Sequence, residues 1–371
     1  MENKKTIRSK FVLLAVLIVL SSCLYLYARI FHKAFDSGIA LTMPVALRIL
    51  SRSATSLLGM IVSATLIAVV SLAFQTITEN RVLTPSMLGF DSVFLATQSV
   101  LVFFASNIPL MGKLFANPYY NFFITTAIML LVSVLMYSIM LRKNKNNIAF
   151  LLLFGLILSS IVQSLTNYIE VLLDPQQFQQ LKAVTTVSIT NMNEQIIYIA
   201  APAMVLLTFL FVKRSREFDV MQLGESNAKS LGVPYTSRVN ETLILIALAM
   251  AITTALIGPV TFLGLLGVNI ARELFKTYRH SILFFGSILV SILCLVLGQG
   301  IVELLGYHAH GGLHLPGKLR LHRKDHPSLL HPRGQRPFPY GTGHSEGCAR
   351  RGRYQGACHS RQQRRRGESR P

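Results

Sequence analysis

Nine apolar stretches, most of them long enough to cross a bilayer, constrain this chain more than any other feature. They lie near residues 11–28, 55–75, 88–106, 121–140, 148–172, 194–212, 241–258, 260–274 and 281–305, the eighth being the shortest. A membrane-spanning helix needs about 20 mostly apolar residues. Lipid offers no partner to backbone amides, so each stretch must close its hydrogen bonds internally, as α-helix. Only 14% of the 371 residues are charged, against about 25% in a soluble domain, and the mean hydropathy is +0.49. The expected fold is therefore all-α, a polytopic transmembrane bundle. Without tryptophan, any interfacial aromatic belt rests on the 12 tyrosines. Cys23 and Cys294 fall in apolar stretches and Cys348 and Cys358 near the end. None forms a CxxC pair, so neither a disulfide framework nor a zinc site is indicated.

Basic residues orient the spans. Lys4, Lys5, Arg8 and Lys10 place the N-terminus in the cytoplasm. A cleaved signal peptide is the competing reading of the first stretch. No small-residue cleavage site follows it, so a retained first span is expected. With alternating spans, the loop carrying Arg142, Lys143 and Lys145 is cytoplasmic, as are Lys213–Arg216 and Arg272–Arg279. The loop at 173–193, with one lysine, falls outside. The loop at 29–54 also falls outside although it carries Arg29, Lys33, Arg48 and Arg52.

Composition changes abruptly at about residue 308. From there to the end the chain has 14 Lys/Arg, 3 Asp/Glu and eight of its ten histidines, so this tail holds +11 of the +20 net charge. The ninth span ends outside, and a tenth apolar span is expected to return the chain to the cytoplasm. The tail has no apolar run of that length. The expected organisation is a transmembrane domain over 1–307 and a basic tail over 308–371 that reads as a shifted reading frame. Gly312, Gly317 and Lys318 in that tail mimic a phosphate-binding loop. Leu319 stands where a magnesium-holding Ser/Thr is needed, and no strand precedes it. The histidines there carry no metal site, and the arginines at 364–366 lack the aromatic interleaving of a nucleic-acid binder.

Three segments carry chemistry-relevant patterns. Residues 221–234 read MQLGESNAKSLGVP, a short amphipathic stretch between spans in which Glu225 to Leu231 can form about two helical turns on the membrane surface. It is either a plain solvated connector or a docking helix for a cytoplasmic partner. Residues 255–274 read ALIGPVTFLGLLGVNIAREL. Gly258-Pro259 breaks the helix there, and Gly264 and Gly267 permit close helix approach. Residues 74–92 read FQTITENRVLTPSMLGFDS, a second break, with Thr84 placed to cap a helix and Pro85 at its first position. Asp91 follows near the helix start. The dipole there stabilises an acid, and an acid within a membrane is also a functional candidate.

Together these segments resemble the FecCD family, permeases of ABC importers for iron–siderophore, haem and cobalamin. The likeness runs over roughly 10–307. It rests on Leu223, Gly224, Glu225, Ala228, Leu231, Gly232 and Val233, and then on Gly258, Pro259, Phe262, Gly264, Leu265, Ile270, Ala271 and Arg272. Gln75, Asn80, Pro85 and Gly89 match a second family element. Val268-Asn269 replaces the family's Pro-His, and only Arg48 and Arg52 represent its Arg-Leu-Pro-Arg. The resemblance implies a multi-pass permease of the cytoplasmic membrane, in its iron–siderophore branch, with nine of ten spans present. It implies no covalent chemistry, cofactor or metal ligand. The implied partners are cytoplasmic ATP-binding subunits docked on 222–233, an extracytoplasmic binding protein docked near Arg52 and Arg48, and a second permease subunit. The implied pathway lies between permeases, near the breaks at Asn80, Pro85, Gly89, Gly258, Pro259 and Gly264. An ion-coupled secondary transporter is the alternative. It needs ionisable groups near the midplane of broken helices, and the spans offer only Asp91, Glu170 and Glu303.

Overall fold

A computed structural model describes residues 4–37, 43–105, 108–143, 148–185 and 194–311. The tail from 312 onward, with the histidine, cysteine and arginine readings made there, lies outside the described residues. All regular structure among the described residues is helical: α1 (Lys4–Ser37), α2 (Met43–Ile77), a 3-10 turn at Pro85–Leu88, α3 (Phe90–Ala105), α4 (Pro109–Ala116), α5 (Pro118–Lys143), α6 (Ile148–Leu172), α7 (Pro175–Thr185), α8 (Glu194–Lys213), α9 (Ser215–Met221), α10 (Glu225–Ser230), α11 (Tyr235–Ile257), α12 (Leu263–Phe275) and α13 (His280–Gly311).

Seven helices among the described residues are long and apolar enough to span a membrane: α1, α2, α5, α6, α8, α11 and α13. The two remaining apolar stretches form shorter helices, α3 of 16 residues and α12 of 13. At 1.5 Å per residue these reach about 24 and 20 Å, less than the roughly 30 Å of bilayer hydrocarbon. Each follows a proline-marked break, which is why each is short.

The bundle is built around α2, the most enclosed span, while α6 is the least enclosed. Its sequence explains the burial. Ser53, Ser56, Ser63, Ala64, Ala68, Ser71 and Ala73 are all buried small residues, and small side chains let helix backbones approach closely in lipid. Helices α8, α11, α12 and α13 all pack against α2. The main core gathers Leu66, Val70, Leu72 and Phe74 of α2 with Leu243, Ile246 and Met250 of α11 and Phe284 of α13.

Helix α12 fits because two of its residues have no side chain. A Cβ at Gly264 would overlap the Ser71 hydroxyl, and one at Gly267 the Ser291 hydroxyl.

Contacts sort the loops onto two ends. Lys10 Nζ donates to the Leu274 carbonyl at 2.7 Å, and the Phe11 and Phe275 rings meet at 4.6 Å. Gln222 Nε2 donates to the Tyr278 carbonyl at 3.4 Å, and Gly224 sits beside the Glu79 carboxylate. The start of α1, the 78–84 turn, the 214–234 segment and the 272–280 turn therefore share one end, as alternating crossings require. At the other end Arg29 is buried, hydrogen-bonded to the Tyr25 hydroxyl and ion-paired with Glu303 at 3.8 Å. A cation neutralised inside the bundle does not act as a cytoplasmic anchor, which accounts in part for the basic loop on the outer side.

Gly264→Val is expected to lower stability by about 1–3 kcal/mol through overpacking. Gly298→Ala, where nothing lies within 4 Å of the new Cβ, should be neutral or mildly stabilising. Thermal unfolding of the purified variants in detergent checks this contrast, and equal midpoints would refute the packing account of α12.

Candidate functional site

Residues 213–241 form a compact cap on one end of the bundle. Helix α9 is held by Phe218 and Met221, both buried in the main core. Arg214 reaches Glu241 at 2.9 Å, and Arg238 reaches Glu241 and Glu217, each at 3.0 Å. This alternating set ties the α8–α9 junction to the start of α11.

Helix α10 is seated by Ala228, fully buried, and by Val233, packed against the same core. Gly224 precedes it at φ 92°, ψ 162°, a backbone region essentially reserved for glycine. That conformation turns the chain sharply from α9 into α10. The outward side carries Ser226, Asn227, Lys229 and Ser230, with the Lys229–Glu225 pair at 2.6 Å. Leu223 and Leu231 stand exposed at its two ends, at 53% and 63%, and Gly232 is also exposed. Of the seven residues singled out by sequence here, two anchor the helix, two present apolar side chains and the glycines shape the turns. Glu225 braces Lys229.

The two helix breaks meet. In the first, Asn80 Oδ1 accepts from Val82 N at 3.0 Å, and Asn80 N donates to the Gln75 carbonyl at 3.2 Å. Pro85, buried, opens the 3-10 turn, and Gly89, at φ 91°, closes it. Thr84 makes no side-chain cap bond. Leu88 and Gly89 press on Gly155 and Ser159 of α6. In the second break Gly258 lies at φ 86°, ψ −176°, again a glycine-only region, and its N–H returns to the Thr254 carbonyl at 2.9 Å.

Thr261 Oγ1, two residues past Pro259, donates to Asp91 Oδ2 at 3.1 Å, and Asn269 Nδ2 donates to the Arg81 carbonyl at 3.2 Å. These two bonds staple α12 antiparallel along residues 81–91. Asn269, the departure from the family's Pro-His, thus holds the first break. Asp91 Oδ1 is buried without a hydrogen-bond partner among the described residues, as are both side-chain polar atoms of Gln75.

Arg48 and Arg52 lie on the first turns of α2 and are both exposed. From Arg52 to Thr76 the helix runs about 36 Å, so these arginines sit at the end of the bundle opposite α10.

Two cavities flank the breaks. One, of about 440 Å³, lies between α3, α5 and α6 and is lined by Val100, Leu101, Phe104, Ile128 and Val132 among others. The other, about 120 Å³, adjoins the end of α11 and is lined by Gln98, Asn121, Thr125 and Gly258. Gln98 Nε2 donates to Thr125 Oγ1 at 2.9 Å and to Asn121 Oδ1 at 3.1 Å. The first is apolar throughout and the second holds a few waters at about 30 Å³ each, so neither suits a polar chelate.

Sequence reasoning passed over Asp219, His280 and Thr76, which form a hydrogen-bonded chain at the α9 end, His280 and Thr76 buried and Asp219 partly exposed. They are 61 and 204 residues apart, and no spacing rule links such positions.

The fold and the glycine-shaped breaks define a membrane-embedded transport permease. The chain belongs to the FecCD transport family, whose profile matches residues 9–311. It is 41% identical over 240 residues to the petrobactin import system permease protein YclO of Bacillus subtilis, covering 64% of this chain and 74% of that one. It is 30% identical over 282 residues to the petrobactin import system permease protein FatC of Bacillus anthracis, covering 76% and 78%. Its identity to the Fe(3+) dicitrate transport system permease protein FecD of Escherichia coli is 31% over 264 residues, covering 70% and 76%. The fold matches a solved inward-facing conformation of a metal-chelate type ABC transporter with a TM-score of 0.67 at 18% identity, over 81% of this chain and 91% of that one. The chain is a multi-pass ABC-importer permease of the cytoplasmic membrane, and family membership decides against the ion-coupled alternative.

Thr261→Val removes the donor to a buried carboxylate and is expected to cost about 1.5–3 kcal/mol. Thermal unfolding in detergent measures it, and an unchanged midpoint would show that the Thr261–Asp91 bond does not hold the breaks together.

Proposed function

We propose that this chain imports ferric–siderophore complexes as one of two permease subunits, driven by ATPases docked on α10 and fed by a binding protein docked on Arg48 and Arg52. The observation that carries the reading is α10 itself. A two-turn helix fixed from below by Ala228 and Val233 presents Leu223 and Leu231 to water. Exposed leucines on a rigid polar cap fit a groove in a soluble partner better than they fit solvent. The iron–siderophore cargo is supported by relatives whose names specify petrobactin import.

A second permease subunit is part of the proposal. Neither of the two cavities described suits a chelate, which supports a pathway between subunits, near the paired breaks. Helix α2 joins both docking faces. Arg48 and Arg52 at its outer end would meet acidic side chains of the binding protein, a contact that weakens as salt rises. The basic segment from about residue 308 onward is proposed to be read from a shifted frame. The family match ends at residue 311, and another frame of the coding DNA should restore an apolar stretch of about 20 residues.

Leu223→Asp combined with Leu231→Asp should abolish co-purification of the ATPase while the permease still reaches the membrane. Arg48→Glu with Arg52→Glu should leave the ATPase bound but reduce capture of the chelate-loaded binding protein. Pull-down from solubilised membranes and uptake of radiolabelled ferric siderophore separate the two. Retention of the ATPase by the leucine variant would overturn the assignment of α10.

A further inference from the structure

Apart from the docking surface, one buried polar group ties the 213–241 cap to the spans beneath it. His280, the first residue of α13, is 1% exposed. Its backbone N–H donates to Asp219 Oδ1 at 2.6 Å, and its Nδ1 lies 2.8 Å from the same oxygen. Its Nε2 lies 2.8 Å from Thr76 Oγ1, in the last turn of α2. Thr76 Oγ1 is also 2.8 Å from the Leu72 carbonyl. One imidazole therefore touches α9 on one side and α2 on the other, while its backbone begins α13.

The rings around it are apolar. Phe218 of α9 lies 5.9 Å away and Phe284 of α13 6.1 Å, centre to centre. Apolar contacts are non-directional and tolerate sliding. Hydrogen bonds to a carboxylate are short and directional, and the bond between the buried His280 ring and Thr76 is stronger than it would be in water. The phenylalanines thus hold α9 against the bundle, and the Asp219–His280–Thr76 chain fixes its register. The Asp219 carboxylate accepts, so Nδ1 donates. Thr76 has one hydroxyl hydrogen. On a neutral ring it gives it to Nε2 and releases the Leu72 carbonyl; on a doubly protonated ring it gives it to Leu72 and accepts from Nε2–H. Both arrangements bond the ring at both nitrogens.

We propose that His280 is a positioning residue for coupling: it transmits displacement of the α9–α10 cap to the inner end of α2, and from there to the 78–89 break. Thr76 stands four residues before Asn80 in the family element, so the last rigid turn of α2 carries both the lock and the start of the break. The inference rests on the docking role proposed for α10.

The test uses the whole importer, the permeases with their ATPase and binding protein, reconstituted in liposomes. ATP hydrolysis and chelate uptake are read from the same vesicles. Thr76→Val keeps the shape and deletes the hydroxyl. It is expected to lower uptake per ATP hydrolysed by about fivefold, the worth of one hydrogen bond. The ATPase should remain bound. Thr76→Ser, which keeps the hydroxyl, should restore the ratio, a rescue that a packing role would not produce. Asp219→Ala should lower the ratio as Thr76→Val does, and the double variant should be no worse than either single one, since a two-armed lock fails when one arm opens. Wild-type ratios in both single variants would overturn the proposal, as would loss of the ATPase from Asp219→Ala, because the effect would then lie in docking. The leucine variants of α10 report on docking alone, so failure of that reading is seen separately.

Discussion

A helix interrupted in a membrane protein frees backbone donors and acceptors that lipid cannot satisfy, and this chain has two interruptions, one at the 78–84 turn at the end of the bundle and one at Gly258–Pro259. Both are closed by protein. At the first, the amides of Asn80, Met87 and Gly89 return to carbonyls of Gln75, Thr84 and Ser86, and the Asn80 side chain takes the amide of Val82. At the second, Gly258 returns to Thr254. Bonds from Thr261 and Asn269 then join the two across the bundle. The short α3 and α12, the close fit of α12 on α2 and α13, and the small residues along α2 all fit the packing of two broken segments against the bundle. Carried by neighbours rather than by lipid, the breaks can be conformationally special without being unstable.

Much of this was legible in the chain. Apolar runs of about 20 residues are strong signals because lipid leaves no alternative to helix, and seven of the nine stretches became full-length spans. The two that did not, α3 and α12, were those next to Pro85 and Pro259. The two-turn helix at Glu225 was legible because Gly224 and Gly232 punctuate it. What sequence could not convey was which side chains turn inward. Arg29 counted as a loop cation until its place beside Tyr25 and Glu303 was seen. Thr84 looked like a cap and makes no cap bond. Asn269 read as a departure from a pattern, whereas its amide holds the Arg81 carbonyl. Contacts between residues nearly two hundred positions apart depend on how helices are arranged, which no local pattern encodes.

Helix α2 unites the functional regions. Its outer turns carry Arg48 and Arg52, its inner half accepts Gly264 at Ser71 and Ile67, and its last turn holds Thr76 and runs into the first break. Proline occurs in it only at Pro44, before the arginines. A continuous helix without an internal proline bends little, so its two ends move as one body. That property suits a part that must relate events on opposite faces of a membrane.

The ion pair between Arg29 and Glu303 has a consequence for biosynthesis. Its members belong to the first and last spans of the described chain, 274 residues apart. At ribosomal rates of about 5–20 residues per second, Glu303 emerges roughly a quarter to nearly a full minute after Arg29. Throughout that interval α1 stands beside a position whose carboxylate has yet to be translated, and Arg29 keeps the Tyr25 hydroxyl of its own helix as a partner. Final docking of α1 is thereby deferred to the end of synthesis, and a truncated chain stalled before α13 would expose that arginine to whatever quality-control machinery surveys unassembled membrane helices.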